Sequence, residues 1–452
     1  MVTKPALQGT PKGGLQTAGN DLQGRRIAAR TTAIASGMHL LVDLACFYLL
    51  AGRFSAFVSD PSLIATGFLL YNALAFGLQL PIGEWTDRRR SVHSCRDGSR
   101  LAMTGMLLVA AGVLLPELHI LLGGGIVPMP LASHIDFGAM IAIWGGLCVA
   151  AVGNACFHIG AGAGILRMSA GRRADSGVFI AGGALGVSLG TWMGRTGRWM
   201  PGMLLVAVGT VFALSYVAMR LQGRNRATPR MPAGTGDHVP VGGSVHNRMV
   251  VDSLAGRHAG EAPICRSAAA IVLLCLLAIM VRAYAGSAMP IVWKSRTDLG
   301  LFLLPSVCVF AGKFAGGFLA DRFGARRTAV LSLLAALPLL FIWGGTVVPC
   351  AVGLFSVSIT TSLTLVAIAR VLPGHEGLAF GLTTLALLLG STPTFLFRLP
   401  DPAGAWVLAG LTALAAGLLF LVLDNERAGR RTAWYDVGET DGSSPVSSPC
   451  NR

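Results

Sequence analysis

The sequence predicts an all-helical integral membrane protein in which twelve transmembrane helices form two pseudo-symmetric six-helix bundles. Three observations predict it. The 452 residues are 53% hydrophobic and only 13% charged, with a mean hydropathy of +0.64, whereas a soluble chain carries about 25% charged residues. The apolar residues gather into runs of about 20, long enough to cross roughly 30 Å of hydrocarbon at about 1.5 Å per residue. The basic residues fall on alternate loops, as topology in a bilayer requires.

Hydropathy places the first six helices over 28–50, 61–82, 101–123, 137–160, 175–194 and 200–220. The second six follow over 267–289, 300–320, 328–345, 347–370, 378–396 and 402–423. Five regions result: an N-terminal tail (1–27), a six-helix bundle (28–220), a linker (221–266), a second bundle (267–423) and a C-terminal tail (424–452). The linker is rich in Gly, Pro and Arg and too poor in apolar residues to build a core, so it reads as flexible. The first helix follows the Arg25-Arg26 pair. It is too long for a signal-peptide core and lacks a cleavage site, which makes it an uncleaved anchor.

With the N-terminus inside, six of the 36 Lys and Arg fall in outer loops: Arg53, Arg195, Arg198, Lys294, Arg296 and Arg398. Arg282 and Lys313 lie within helices, and all the others lie on the inner side. The expectation is a multi-pass protein of the inner (plasma) membrane with both termini cytoplasmic. The net charge of +15 is thereby explained by topology. A nucleic-acid partner would need basic residues interleaved with aromatics on one exposed surface, and none is found. The nine cysteines are scattered singly, with no CxxC pair and no Cys/His ligand spacing. They read as packing residues, with no metal site and no disulfide expected. No phosphate-binding G-x-x-x-x-G-K-[ST] loop occurs, so no nucleotide cofactor is expected and an ion gradient is the energy source. No nucleophile–base pair lies within the helices, so the chain is not expected to be an enzyme.

The two halves repeat a motif. The loop after the second helix reads GEWTDRRR from Gly83 to Arg90, and the loop after the eighth reads GFLADRFGARR from Gly317 to Arg327. Asp87 and Asp321 thus stand at matching places, each just beyond the end of the second helix of its half. This pair resembles the signature of the major facilitator superfamily, G-x-x-x-D-R-x-G-R-R. The second copy fits at Gly317, Asp321, Arg322, Gly324 and Arg326, with Arg327 next in sequence. The first keeps Gly83, Asp87, Arg88 and Arg90 but lacks the glycine step. A carboxylate at a helix end can pair with arginines and with the positive end of a neighbouring helix. Gly83, Asp87, Arg88, Gly317, Asp321, Arg322 and Arg326 are therefore the expected conformational latch. The resemblance implies two halves with a substrate path between them near the midplane.

Ionisable residues inside hydrocarbon are costly and so are functional candidates. His39 and Asp43 are four residues apart on one face of the first helix. Histidine titrates near neutral pH, so the pair either carries a coupling proton or fixes helix packing. On the fourth helix Asn154 precedes His158 by one turn, and His158 either lines the path or packs. His39-x-x-x-Asp43 together with Phe157-His158 resembles the fosmidomycin-resistance branch of the superfamily, although Ile159 stands where that branch usually has proline. The resemblance implies a proton-driven exporter of small drug-like molecules. On the seventh helix Arg282 either binds an anionic substrate or neutralises Asp43, with Tyr284 nearby in sequence. Lys313 is expected to snorkel to the inner surface. Gly182, Gly186, Gly190 and Gly194 make a smooth ridge for close helix packing. Trp192 and Trp199 are expected interfacial anchors.

The expected function is secondary active transport of a small molecule by alternating access, with proton-coupled efflux by a monomer in the lipid bilayer. Uptake of an anionic nutrient or metal complex, and a transport-inactive membrane sensor or scaffold, are the competing readings.

Overall fold

The computed structural model describes residues 13–58, 60–89, 94–122, 137–169, 171–197, 267–295, 298–397 and 403–424. The expected sixth helix over 200–220, the linker over 221–266, Trp199 and nearly all of the C-terminal tail lie outside the described residues.

Among the described residues, eleven long helices follow in chain order. They are α1 (Arg26–Val58), α2 (Pro61–Arg88), α3 (Gly98–Leu121), α4 (Phe137–Met168), α5 (Arg173–Thr196), α6 (Ala268–Ala288) and α7 (Leu299–Phe323). After them come α8 (Ala325–Phe341), α9 (Val347–Val371), α10 (Glu376–Leu396) and α11 (Ala403–Val422). Ten are long and apolar enough to cross a membrane; α8, the expected ninth span, has 17 residues. Helical structure already begins at Gly13, inside the stretch read as a polar tail, because Leu, Gln, Ala and Arg there all favour helix. α1 also runs past residue 50 to Val58 through a π-helical turn over Leu49–Phe54. Arg53, counted above as a loop residue, is therefore helical. It makes a bidentate pair with Glu117 of α3, at 2.6 and 2.9 Å.

Small residues set the packing. In α5, Gly182, Gly186 and Gly190 lie against the backbone carbonyls of Ser36, Leu40 and Leu44 in α1, and Gly194 lies against Gly52. The ridge expected from the four-residue spacing is thus the α1–α5 seam. A second seam was not anticipated. Gly98, Gly105 and Gly112 of α3 face Gly160, Gly153 and Gly146 of α4, with a seven-residue step on both helices. Side chains there would hold the backbones apart, and without a hydrophobic drive between helices in lipid, close backbone contact supplies the attraction. Cys46, Cys148, Cys156, Cys275, Cys308 and Cys350 are free. Cys46, Cys156, Cys275 and Cys350 are buried, as packing residues would be.

Among the described residues, the halves meet chiefly along two helix pairs, α2 with α10 and α5 with α7, with smaller contacts of α4 with α10 and α5 with α9. Gly83 of α2 abuts Gly377 of α10, and Gly317 of α7 abuts Arg173 and Ala174 of α5. The two motif glycines therefore sit at equivalent crossings. Further along the second pair, the hydroxyls of Ser188 and Ser306 hydrogen-bond to each other. Gly324, the glycine step of the second motif copy, turns α7 into α8 with φ 94°, a backbone conformation that side-chain-bearing residues rarely adopt.

Candidate functional site

The buried polar residues of the N-terminal half converge at one place. His39 and Asp43 lie on α1 with Nε2 and Oδ2 3.2 Å apart. α4 brings His158, whose Nε2 lies 2.8 Å from His39 Nε2. Asn154, one turn earlier, donates to Asp43 Oδ1 at 2.9 Å. All four side chains belong to residues under 9% exposed. Their proton inventory is constrained. His39 Nδ1 faces the carbonyl of Phe179 at 2.9 Å, and His158 Nδ1 faces the carbonyl of Asn154 at 2.9 Å. A carbonyl can only accept, so both Nδ1 atoms carry hydrogen. Two neutral rings would then point bare Nε2 lone pairs at each other and at a carboxylate. The contact requires a cation, either a second proton on one ring or a metal ion.

α5 makes room for this arrangement. A Cβ at Gly183 would overlap both His39 Nε2 and Asp43 Oδ2. Aromatic rings wall the cluster: Phe179 lies 4.9 Å from His39 and Phe380 lies 6.4 Å from His158 by ring centroids. Phe380 comes from α10 in the other half and seats against Gly162 of α4. It stands between the cluster and the end of the bundle that carries the two motif aspartates.

The C-terminal half contributes positive charge. Arg282 is buried and donates to the hydroxyl of Thr360 on α9, and among the described residues no ion pair joins it to Asp43. Lys313 does not reach for the inner surface as expected. It lies close enough to Asp43, His158 and Arg282 to interact electrostatically with all three. Tyr284 is half-buried, two residues from Arg282 and so on a different helix face.

At the motif end the two aspartates do the same thing twice. Asp87 accepts from the backbone N–H groups of Gly377 and Leu378 at 3.2 and 2.8 Å, in the first turn of α10. Asp321 accepts from those of Arg173 and Ala174 at 3.1 and 3.0 Å, in the first turn of α5. Each carboxylate thus caps a helix of the opposite half, where the free N–H groups and the helix dipole favour negative charge. Arg167 of α4 reinforces the first cap, bridging Asp87 at 3.1 Å and Glu376 at 3.3 Å. Around the second, Arg173 pairs with Asp321 at 3.6 Å and with Asp424 at 2.9 Å, and Arg370 also reaches Asp424 at 3.2 Å.

Solved structures with this arrangement of helices can be named. A major facilitator superfamily transporter, FucP, in the outward conformation matches with a TM-score of 0.52 at 13% identity, over 86% of this chain and 96% of that one. The E. coli fucose:proton symporter FucP matches at 0.53 and 15%, over 86% and 97%. A bacterial homologue of the iron transporter ferroportin, outward-facing, matches at 0.51 and 14%, over 87% and 97%. The fold is the major facilitator fold. No family model matches the sequence, and no curated protein does.

Within the major facilitator fold of this chain, the structure gathers some expected residues and separates others. His39, Asp43, Asn154 and His158 form one network, while Arg282 and Tyr284 lie across from it in the other half. Gly83, Asp87, Gly317 and Asp321 stand at the contacts between halves. Arg88 instead pairs with Glu84 on its own helix at 2.8 Å, and Arg322 lies over the Phe323 ring at 5.5 Å. Arg326 donates to the Leu423 carbonyl at 2.8 Å, which steadies the chain beside Asp424. Sequence reasoning missed Gly183, Phe380, Arg167 and Arg173. Only the Arg172-Arg173 pair at a helix start carried any signal, and it read as ordinary inner-side charge.

Proposed function

We propose that this chain is a proton-coupled secondary transporter that moves a small molecule across the inner membrane by alternating access, with both termini cytoplasmic. The observation that carries the reading is the convergence of His39 Nε2, His158 Nε2 and Asp43 Oδ2, whose facing lone pairs need a proton or an ion between them. A proton held there has an acceptor on two helices and a carboxylate to balance it. Because the cluster lies about ten residues from the motif end, roughly 15 Å along a helix, it sits near the bilayer midplane, where alternation can present it to either side. Among the described residues, Cys46 on α1, Tyr71 on α2 and Lys313 on α7 are the other titratable groups beside it, and Arg282 on α6 lies next to Lys313. The arginines of the motif end make that end cytoplasmic by the positive-inside rule, so the closed latch corresponds to a state facing outward. Efflux is favoured by the likeness of His39, Asp43 and Phe157-His158 to the fosmidomycin-resistance branch.

A second reading concerns the cargo. Arg282 and Lys313 together favour a substrate that carries negative charge, and this holds for uptake as well as for efflux.

The test uses full-length protein in liposomes loaded with a trapped pH-sensitive dye and challenged with a panel of small organic anions and drug-like compounds. Wild type moves protons with at least one solute, and Asp43→Asn abolishes that flux while still binding the solute. Equal proton movement in Asp43→Asn rejects the coupling assignment, and a wild type inert to the whole panel favours the sensor or scaffold reading.

A further inference from the structure

We infer that His39, Asp43 and His158 bind a divalent first-row transition-metal ion, such as Zn2+, Co2+, Fe2+ or Mn2+, through two Nε2 atoms and one carboxylate oxygen. Binding stands on the geometry alone; that the ion is carried across the membrane rests on the transport reading above and names its substrate class.

Four observations support the site. The three ligand atoms lie within 4.8 Å of one another. Both histidines offer Nε2 with Nδ1–H fixed on a backbone carbonyl, of Phe179 and of Asn154, which is the outer-shell bond that orients metal-binding imidazoles and raises their basicity. Asp43 has its second oxygen held by Asn154 Nδ2 at 2.9 Å, leaving Oδ2 for the ion. Gly183 keeps clear the space that a Cβ would take from His39 Nε2 and Asp43 Oδ2.

The donor set selects the class of metal. Two imidazoles and a carboxylate suit borderline ions; Mg2+ and Ca2+ take oxygen ligands, and soft ions prefer thiolate. Cys46 is not offered as a ligand, since its Sγ faces the Ala150 carbonyl at 3.9 Å. Bonds near 2.0–2.1 Å in a tetrahedron place donors roughly 3.4 Å apart. The Nε2 pair at 2.8 Å and the Nε2–Oδ2 pair at 3.2 Å therefore open by a few tenths of an ångström to about half an ångström on binding. Lys313 and Arg282 bring positive charge to the same region, so the remaining coordination position takes an anionic ligand: hydroxide, chloride or the carboxylate of a chelator. The apolar rings of Phe157, Phe179 and Phe380 keep bulk water from competing.

The experiment uses the full chain purified without a histidine tag, stripped with chelator and titrated with Co2+. Wild type develops saturable visible d–d absorption at one equivalent. His158→Gln and Asp43→Asn, checked for unchanged elution and melting, weaken binding by tenfold or more. X-ray absorption of the Zn2+-loaded wild type needs no substitution and shows two imidazole nitrogens in the first shell. No saturable binding, binding unchanged in His158→Gln, or a sulfur-containing shell overturns the site. A chain that couples solute and proton flux but binds no Co2+ sinks the metal site alone. One that binds Co2+ in this way yet moves no protons sinks the coupling assignment alone.

Discussion

Replacing Asp87 and Asp321 together by Asn opens the bundle at the motif end. Each carboxylate accepts two backbone N–H bonds from the first turn of a helix in the opposite half, and each has an arginine beside it. A hydrogen bond to a charged group is worth about 1.5–3 kcal/mol, and the helix dipole adds to it when the charge is partly buried. Asn keeps the shape but gives up the charge, so each single substitution shifts the equilibrium between closed and open states by about tenfold or more. The double variant shifts it further, because the two caps lie at separate crossings, α2–α10 and α7–α5, and act additively. Spin labels at Arg88→Cys and Arg327→Cys, one in each half, read the distance across this end. The wild type gives a dominant short distance and the double variant a dominant long one. An unchanged distribution in the double variant shows that the aspartates do not hold the halves together.

Gly183→Ala destroys the cluster while leaving most of the fold standing. The added methyl overlaps His39 Nε2 and Asp43 Oδ2, and neither can retreat easily. His39 is held by the Phe179 carbonyl and Asp43 by Asn154. Overpacking of this kind costs about 1–3 kcal/mol, a loss that shows as a lower melting temperature in detergent. Its larger effect falls on chemistry, since the His39–Asp43 pair and the His39–His158 contact cannot both survive, and proton-linked flux is lost. Gly37→Ala, on the same α1 seam region but with nothing within 4 Å of the added carbon, serves as the control and keeps both melting temperature and flux. Normal flux in Gly183→Ala contradicts the role given to the pair.

Much of the architecture could be read from hydropathy alone, because a lipid solvent imposes a single length scale on every span. The matching positions of the two motif aspartates were also legible, since Asp87 and Asp321 recur at one place in a repeated motif. What the motif could not reveal was their partners. Arg88 and Arg322 follow the aspartates in sequence but turn away from the contact between halves, whereas the helix N-termini and Arg167 and Arg173 come from distant segments. The same limit applies at the polar cluster. His39 and Asp43 could be paired from their four-residue spacing on one helix. The contact between His39 and His158 spans 119 residues and needs α1 and α4 to be docked by the fold. Gly183 sits next to Gly182 in the sequence, and the ridge periodicity selects Gly182, so the glycine that shapes the site was hidden by the one that shapes the seam.

The protonation of the two histidines is the point on which everything else turns. Nitrogen-15 magnetic resonance of histidine-labelled protein in lipid at neutral pH, without added metal, resolves each ring nitrogen, with His39→Gln and His158→Gln spectra to assign the signals. The geometry predicts that both Nδ1 atoms are protonated and that one of the two rings carries hydrogen on both nitrogens. A spectrum in which both rings are neutral, one of them with hydrogen on Nε2 and a bare Nδ1, would contradict it.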